Sequence, residues 1–264
     1  MTRENAPEFA RWIRRFHPRP AAEHTLVCFP HAGGAASYYH GLSAALGPDV
    51  EALVVQYPGR ENRLFEDPAP SVEWLADAVA GVLEAGAVER PVFFGHSMGA
   101  IVAFETARRL DRTSARPAAL VASASAAPSH PEPRAPLLDA LADETDTEIL
   151  AGIMGLGGTD TDVAEHAELI RLVLPAVRAD LSALARYRVA PDATVRCPVV
   201  VYAPEDDPSA PARDAALWGR HTAGGTAEVH RFAGGHFYFA SLAGPFLDRL
   251  RLTVRAAGTG VAFA

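Results

Sequence analysis

The sequence predicts an α/β fold with a mostly parallel central sheet and helices on both faces. Two observations indicate this class. Short, continuous apolar runs recur along the chain, and segments with apolar residues at three- and four-residue spacing separate them. Continuous apolar strands are typical of parallel sheets because helices cover both of their faces. With 264 residues, 49% of them hydrophobic, the chain is long enough for one domain over residues 1–264.

Six strands are predicted in chain order, each a short run of mostly apolar residues. They cover residues 25–29, 52–56, 91–94, 118–122, 198–202 and 227–232. A short N-terminal element over residues 7–20 precedes them and stops at two prolines. Helices are predicted over residues 71–87, with Ser71 as N-cap, over 100–110 and over 246–256.

One region, residues 129–186, interrupts this alternation because it contains no convincing strand. Its apolar spacing predicts helices over residues 137–149 and 163–186, with a glycine-rich joint at 155–158 between them. The region lies immediately before the strand expected to carry a catalytic acid. We therefore interpret residues 129–186 as an inserted helical lid, with simple packing decoration as the alternative.

Charge and residue choice exclude several classes of function. The chain carries 24 basic and 32 acidic residues, a net charge of -8, which argues against a nucleic-acid binder with a broad basic face. All the basic residues are arginine, and the absence of lysine excludes Schiff-base chemistry and a Walker-type phosphate site. Cys28 and Cys197 accompany apolar runs and are expected to be buried and reduced. No signal peptide or membrane-spanning stretch is recognisable, so we expect a cytoplasmic protein.

The motif G-x-S-x-G occurs at residues 95–99, which read GHSMG. It follows a predicted strand and precedes a predicted helix, the context that forms a nucleophile elbow. The two glycines relieve crowding around a strained turn that holds the serine side chain clear of the backbone. Ser97 is therefore the candidate nucleophile.

A serine nucleophile needs a base and an acid that orients the base, and this architecture places them in the order Ser, Asp, His. His236 follows the last predicted strand and is the candidate base; the other nine histidines are less well placed. Three consecutive acidic residues, Glu205, Asp206 and Asp207, follow the fifth strand. Asp207 is preferred because Pro208 favours a tight turn there, and Asp206 is the alternative.

Two backbone N–H groups are candidates for holding a tetrahedral oxyanion. One belongs to Met98, next to the nucleophile. The other belongs to Ala32, in the HAGG loop at residues 31–34, whose glycines allow close approach of backbone to ligand. No HExxH motif and no G-x-G-x-x-G after a strand occur, so neither a metal nor a dinucleotide is expected.

At these residues the chain resembles the type II thioesterases that accompany modular polyketide and nonribosomal peptide synthases. The resemblance covers nearly the whole chain. It is carried by Trp12, Arg15 and Phe16 and by residues 28–34 (CFPHAGG), 57–61 (YPGRE), 95–100 (GHSMGA), 174–180 (LPAVRAD) and 234–237 (GGHF). It implies an α/β-hydrolase fold with a helical lid and a triad of Ser97, Asp207 and His236.

The resemblance also implies an editing role, the hydrolysis of stalled or wrong acyl groups from the phosphopantetheine arm of an acyl or peptidyl carrier protein. No cofactor of the enzyme's own is expected, because the substrate carries the phosphopantetheine. Carrier proteins of this kind are generally acidic, so docking would need a local basic patch. Arg60, Arg63 or the N-terminal arginines are candidates for it, with ordinary solvated charge as the alternative.

Three other functions remain open at this point. A general carboxylesterase and an acyltransferase use the same chemistry as a thioesterase. A non-catalytic acyl-binding protein could be built on the same scaffold, although a complete triad argues against it.

Overall fold

The computed structural model of the chain describes residues 7–130, 149, 167–242 and 244–259. The described strands are β1 (Ile13–Arg14), β2 (His24–Phe29), β3 (Val50–Val55), β4 (Val92–His96), β5 (Ala119–Ser123), β6 (Val199–Pro204) and β7 (Glu228–Phe232). They form one sheet in the order β1-β3-β2-β4-β5-β6-β7. Neighbouring strands are parallel except for β1 and β3. The predicted fold class is thereby confirmed.

Helices lie on both faces of this sheet. The described α-helices are α1 (Pro7–Trp12), α2 (His40–Ala45), α3 (Val72–Ala85), α4 (Met98–Leu110), α5 (Ala167–Arg186) and α6 (Gly244–Thr259). Helix α3 begins as predicted, since the Ser71 hydroxyl accepts a hydrogen bond from the Trp74 N–H at 3.1 Å. None of the described helices combines the length and the apolar character needed to cross a bilayer.

The core consists of two apolar layers separated by the sheet. Along β2, Val27 and Phe29 belong to one layer, together with α3 and α4. Leu26 and Cys28 belong to the other, together with α2 and α6. This alternation follows from the two-residue period of a strand, and it explains why the strands read as continuous apolar runs. Both cysteines are buried and unpaired, as expected.

The six predicted strands are all present, and their ends differ from the predicted ones by at most two residues. The N-terminal element differs more. Its helix stops at Trp12, and Ile13 and Arg14 then pair antiparallel with Val55 and Val54 at the sheet edge. Two residues are too few to show an alternating pattern, so the sequence contained no signal for this strand.

The predicted lid lies only partly within the described residues. The helix expected over residues 137–149 falls outside them, apart from residue 149, as does the glycine-rich joint. The second predicted helix corresponds to α5, which begins at Ala167. Its C-terminal end is attached to the body of the domain, because the Tyr187 hydroxyl donates a hydrogen bond to Glu105 at 2.7 Å.

Candidate active site

Ser97 lies in the sharp turn between β4 and α4. Its backbone has φ 55° and ψ −123°, a conformation that residues with a side chain rarely adopt. Every other residue from 91 to 100 is buried, whereas Ser97 is partly exposed. The strained turn therefore presents the serine hydroxyl at the edge of an otherwise buried segment.

The two positions that flank this turn have no room for a side chain, so each requires glycine. A Cβ on Gly95 would lie 2.5 Å from the Ala100 Cα, and a Cβ on Gly99 would overlap the Phe29 carbonyl oxygen. The contact at Gly99 has a further consequence. It brings the first turn of α4 against the end of β2, so the loop that follows β2 lies beside Ser97.

His236 and Asp207 follow the two adjacent strands β7 and β6. The His236 Nδ1–H donates to Asp207 Oδ2 at 2.7 Å, and both residues are buried. This bond orients the ring and leaves Nε2 as the nitrogen available to a nucleophile. The His236 ring centroid is 5.0 Å from that of His96, the residue before Ser97.

Ser209 completes the surroundings of the Asp207 carboxylate. Asp207 Oδ1 accepts hydrogen bonds from the Ser209 N–H at 2.9 Å and from its hydroxyl at 2.6 Å. Burial opposes ionisation, but the hydrogen bonds from His236 and Ser209 outweigh it and lower the pKa of Asp207. The carboxylate is therefore ionised at neutral pH.

The other two candidate acids point elsewhere. Glu205 and Asp206 are exposed, whereas Asp207 is only 3% exposed. The Asp206 N–H donates to the Gly234 carbonyl at 3.0 Å, which joins the acid loop to the loop that carries His236. The structure thus pairs Asp207, and not Asp206, with His236.

Two further histidines lie buried next to His236. Burial, reinforced by the charge of His236, lowers the pKa of His31 to about 3 and that of His96 well below its usual value. Both rings are therefore neutral. His96 Nδ1 is 3.1 Å from Ser123 Oγ, which is 2.9 Å from the Tyr238 hydroxyl. The side chains next to the candidate base are therefore uncharged imidazole rings.

The loop that follows β2 has several of its N–H groups occupied. The Gly33 N–H donates to Asp180 at 2.8 Å, the Gly34 N–H to the His31 carbonyl at 2.9 Å and the Ala36 N–H to Gln56 at 2.7 Å. By contrast, the Ala32 N–H has no acceptor among the described residues. It remains available to a ligand.

The Met98 N–H is similarly available. It belongs to the first residue of α4, and within the described part of the chain it has no acceptor. N–H groups in the first turn of a helix have no acceptor within the helix, and the helix dipole favours negative charge there. The group is thus suited to an oxyanion.

Arg60 and Arg63 do not form the exposed basic patch proposed from the sequence. Each is 3% exposed. Arg60 makes an ion pair with Asp180 and Arg63 with Glu66, both at 2.7 Å. Buried, paired guanidinium groups cannot meet a partner protein, so this part of the sequence interpretation was wrong. Among the N-terminal arginines, Arg11 also pairs with Glu66.

Sequence reasoning missed two residues that hold the site together, Ser209 and Asp180. A signal existed for Ser209, because residues 207–209 read DPS and an aspartate often accepts a hydrogen bond from the N–H two residues later. Asp180 lies in the LPAVRAD segment that carries the family resemblance, but nothing in the local sequence indicates what its side chain contacts. An acidic residue in an amphipathic helix is usually solvated, and only the fold shows that its side chain is buried.

The arrangement contains the groups that acyl transfer requires. It combines a strained serine, an imidazole oriented by a carboxylate and two unoccupied backbone N–H groups. The described residues contain no group of three side chains suited to binding a metal ion. A serine, an oriented imidazole and backbone N–H donors are the groups that nucleophilic catalysis by serine uses.

Known proteins resemble the chain in both sequence and structure. A family model described as thioesterase domain matches residues 24–250. Thioesterase PikA5 of Streptomyces venezuelae is 48% identical over 230 residues, which covers 86% of this chain and 79% of that protein.

Two solved structures are similar over most of the chain. BorB, the type II thioesterase from the borrelidin biosynthetic cluster, has a TM-score of 0.82 and 39% identity, covering 92% of this chain and 98% of its own. YbtT, the type II thioesterase from the yersiniabactin NRPS/PKS biosynthetic pathway, has a TM-score of 0.77 and 28% identity, covering 93% and 99%.

Proposed function

The chain belongs to the thioesterase domain family, and from this premise we propose that it is a type II thioesterase acting on carrier proteins. Its substrates are acyl groups attached to the phosphopantetheine arm of an acyl or peptidyl carrier protein in polyketide or nonribosomal peptide biosynthesis. Its role is editing, the removal of stalled or wrong acyl groups. The names of its relatives and structural neighbours support this substrate class.

In the first half of the reaction Ser97 attacks the thioester carbonyl. His236 Nε2 takes the proton from the Ser97 hydroxyl, and Asp207 stabilises the imidazolium that forms. The Ala32 and Met98 N–H groups donate to the oxyanion of the tetrahedral intermediate. When this intermediate collapses the C–S bond breaks, and His236 returns the proton to the departing pantetheine thiolate.

In the second half water releases the acid. His236 removes a proton from a water molecule, and the hydroxide attacks the acyl-Ser97 carbonyl. The oxyanion forms at the same two N–H groups. Collapse breaks the ester bond and returns the proton to Ser97, so that the free acid leaves and the enzyme needs no cofactor of its own.

The observation that carries this proposal is the buried 2.7 Å hydrogen bond between His236 and Asp207, with the His236 ring beside the residue that precedes Ser97. A serine in an elbow is common, but an elbow next to a histidine already held by a carboxylate is arranged for nucleophilic catalysis.

We extend the proposal to residues 129–186, of which 131–148 and 150–166 lie outside the described residues. Helix α5, at the end of this segment, contacts the loop at residues 31–34 through Val177 and Asp180. Helix α5 therefore lies next to the loop that contains the candidate oxyanion N–H of Ala32. The contact supports a lid that shapes the acyl site. We propose that this lid is part of a single domain, located in the cytoplasm with its carrier proteins.

The test compares the wild-type protein with Ser97→Ala on acyl groups loaded onto a carrier protein. We expect the wild type to release free acid, and we expect Ser97→Ala to lower kcat by about four to six orders of magnitude. Covalent labelling of the wild type, but not of the variant, by a fluorophosphonate would exclude a non-catalytic acyl-binding protein.

The same assay separates the remaining alternatives. An oxygen ester with the same acyl group is the matched substrate, and preference for it over the thioester would indicate a carboxylesterase. Transfer of the acyl group to an added alcohol or amine, in place of release as free acid, would indicate an acyltransferase. Wild-type turnover by Ser97→Ala would contradict the proposed mechanism altogether.

A further inference from the structure

Arg60 and Asp180 form a buried ion pair that joins α5 to the loop at residues 31–34. Two hydrogen bonds connect them: Arg60 Nη1 donates to Asp180 Oδ2 at 2.7 Å and Nη2 to Oδ1 at 3.0 Å. The side chains are 4% and 0% exposed. This is the parallel, two-pronged geometry that gives an arginine–carboxylate pair its directionality.

Each member of the pair also holds the loop itself. Asp180 Oδ2 accepts the Gly33 N–H at 2.8 Å, and Arg60 Nη1 donates to the Gly34 carbonyl at 3.1 Å. Val177, one turn before Asp180 on α5, packs so closely that a Cβ on Gly33 would lie 2.5 Å from its Cγ2. The loop is thus held by one face of α5 and by one guanidinium group.

These contacts determine the orientation of the Ala32 N–H. That N–H shares a rigid peptide plane with the His31 carbonyl, which accepts the Gly34 N–H at 2.9 Å. Asp180 holds the Gly33 N–H and therefore the Ala32–Gly33 peptide plane, which adjoins the plane of the Ala32 N–H. Arg60 holds the Gly34 carbonyl and therefore the Gly34–Ala35 peptide plane. The Gly33–Gly34 peptide between these two planes is the one whose N–H the His31 carbonyl accepts. The direction in which the Ala32 N–H points follows from them.

Arg60 also makes hydrogen bonds to residues outside α5. Its Nε donates to the Pro58 carbonyl at 3.2 Å, and its own carbonyl accepts the Gln56 side-chain amide at 3.2 Å. Gln56 Oε1 accepts the Ala36 N–H at 2.7 Å, two residues beyond that loop. The backbone and the Nε of Arg60 are therefore both held by residues outside α5.

Stability alone does not explain a charge pair at this position. Removing two charges from water is costly, and buried pairs can often be replaced by apolar residues with no loss of stability. What apolar residues cannot supply is the set of directed hydrogen bonds to Gly33 and Gly34. The pair is better explained by the loop geometry that it imposes.

We infer that Arg60 and Asp180 are positioning residues, which hold the loop at residues 31–34 so that the Ala32 N–H faces the oxyanion, and which make this geometry depend on the seating of α5. The inference rests on the proposed function, because it assigns a role within that mechanism. It links the helix next to the acyl site to the rate of the chemical step.

The test measures Asp180→Asn against Glu51→Gln. Glu51 is a matched control, since it accepts two hydrogen bonds from Arg15 and one from the Arg19 N–H in the N-terminal part of the chain. We expect Asp180→Asn to lower kcat about 30- to 100-fold with KM changed less than about twofold, because displaced catalytic groups cost rates of this order. Glu51→Gln should keep the wild-type kcat.

A second readout reports the oxyanion geometry directly. An acyl trifluoromethyl ketone reacts with Ser97 to form a tetrahedral adduct: the Ser97 oxygen bonds to the carbonyl carbon, the carbonyl oxygen becomes an oxyanion and His236 takes the proton. We expect the inhibition constant of this ketone to rise in Asp180→Asn by the same factor by which kcat falls. Unchanged kcat and unchanged inhibition in a folded Asp180→Asn protein would overturn the inference.

A double variant covers the case in which Asp180→Asn fails to fold around an unpaired arginine. Arg60→Met combined with Asp180→Leu removes both charges together, and it should melt at a higher temperature than either single variant while kcat stays low. Wild-type kcat in the folded double variant would contradict the inference. It would also be contradicted if the decrease in kcat simply followed the decrease in Tm across all variants, Glu51→Gln included.

The failure of this inference is distinguishable from that of the proposed function. If the wild type does not hydrolyse acyl-carrier thioesters, the proposed function fails. The trifluoromethyl ketone still compares Asp180→Asn with the wild type in that case, because any serine hydrolase forms the adduct.

Discussion

Two buried pairs hold the site, and they are built from different parts of the chain. His236 with Asp207, and Arg60 with Asp180, each include a contact of 2.7 Å to a carboxylate. The first pair is separated by 29 residues and the second by 120. One comes from the ends of neighbouring strands, and the other joins α5, at the end of residues 129–186, to the loop that follows β3.

The difference shows which residues of a site are brought together by strand order alone. Parallel strands β6 and β7 are adjacent, so residues after their carboxyl ends must meet. No such rule brings α5 to the loop at residues 31–34, since that contact depends on how α5 packs against the rest of the structure. The acid–base pair is a consequence of strand order, whereas the ion pair is a consequence of packing.

The largest effect is expected at the acid–base pair. Asp207→Asn keeps the shape of the side chain but removes the charge that orients His236 and stabilises its protonated form. We expect kcat on acyl-carrier thioester to fall by about 10³- to 10⁴-fold. Asp206→Asn, an exposed neighbour with the same change in charge, should stay within about twofold of wild type. A large loss in Asp206→Asn instead would show that the acid is misassigned.

An intermediate effect is expected where α5 meets the oxyanion loop. Gly33 and Gly225 both have φ +73°, but a Cβ on Gly33 would strike Val177, while a Cβ on Gly225 would meet nothing within 4 Å. Alanine at either position should cost about 1–2 kcal/mol of stability, because the left-handed conformation is unfavourable for it. Only Gly33→Ala should also lower kcat, by about 10-fold.

A compensating substitution sharpens that comparison. Adding Val177→Ala to Gly33→Ala removes the clash but not the backbone strain, so it should recover part of kcat and little of the stability. Steady-state kinetics and urea unfolding measure the two quantities separately. Equal kcat losses in Gly33→Ala and Gly225→Ala would show that strain, and not the contact with α5, controls the loop.

The smallest effect concerns stability and its dependence on pH. Burial lowers the pKa of His31 to about 3, so between pH 6.5 and 3 the unfolded chain binds a proton that the folded chain does not. The stability that this gives is present above pH 6.5 and is lost as pH falls through that window. His31→Phe removes the titrating group, so its urea midpoint should fall less steeply than that of wild type between pH 6.5 and 4.

The control for this measurement is His40→Phe, a substitution of an exposed histidine outside the buried cluster. It should keep the wild-type slope of urea midpoint against pH. An unchanged slope in His31→Phe would mean that the buried, neutral His31 ring contributes nothing to the loss of stability at low pH.

Much of this molecule was predictable from local patterns. The six longer strands could be predicted because a strand buried on both faces must be apolar throughout. Ser97 could be predicted because its turn needs glycine on both sides. Strand β1 was not, since two residues carry no period. Arg60 was misinterpreted as exposed because arginine is usually solvated, and its partner lies 120 residues away.

The sequence by itself determined the α/β class, the elbow at Ser97 and the strand ends from which an acid and a base come. Each of these depends on residues close together in the chain, where backbone geometry and apolar spacing act directly. Only the tertiary structure decided that Asp207 and not Asp206 meets His236, and that Asp180 reaches Gly33. Those choices depend on the direction of a few side chains after distant segments have packed, and burial of a charge is settled by the partners that packing supplies.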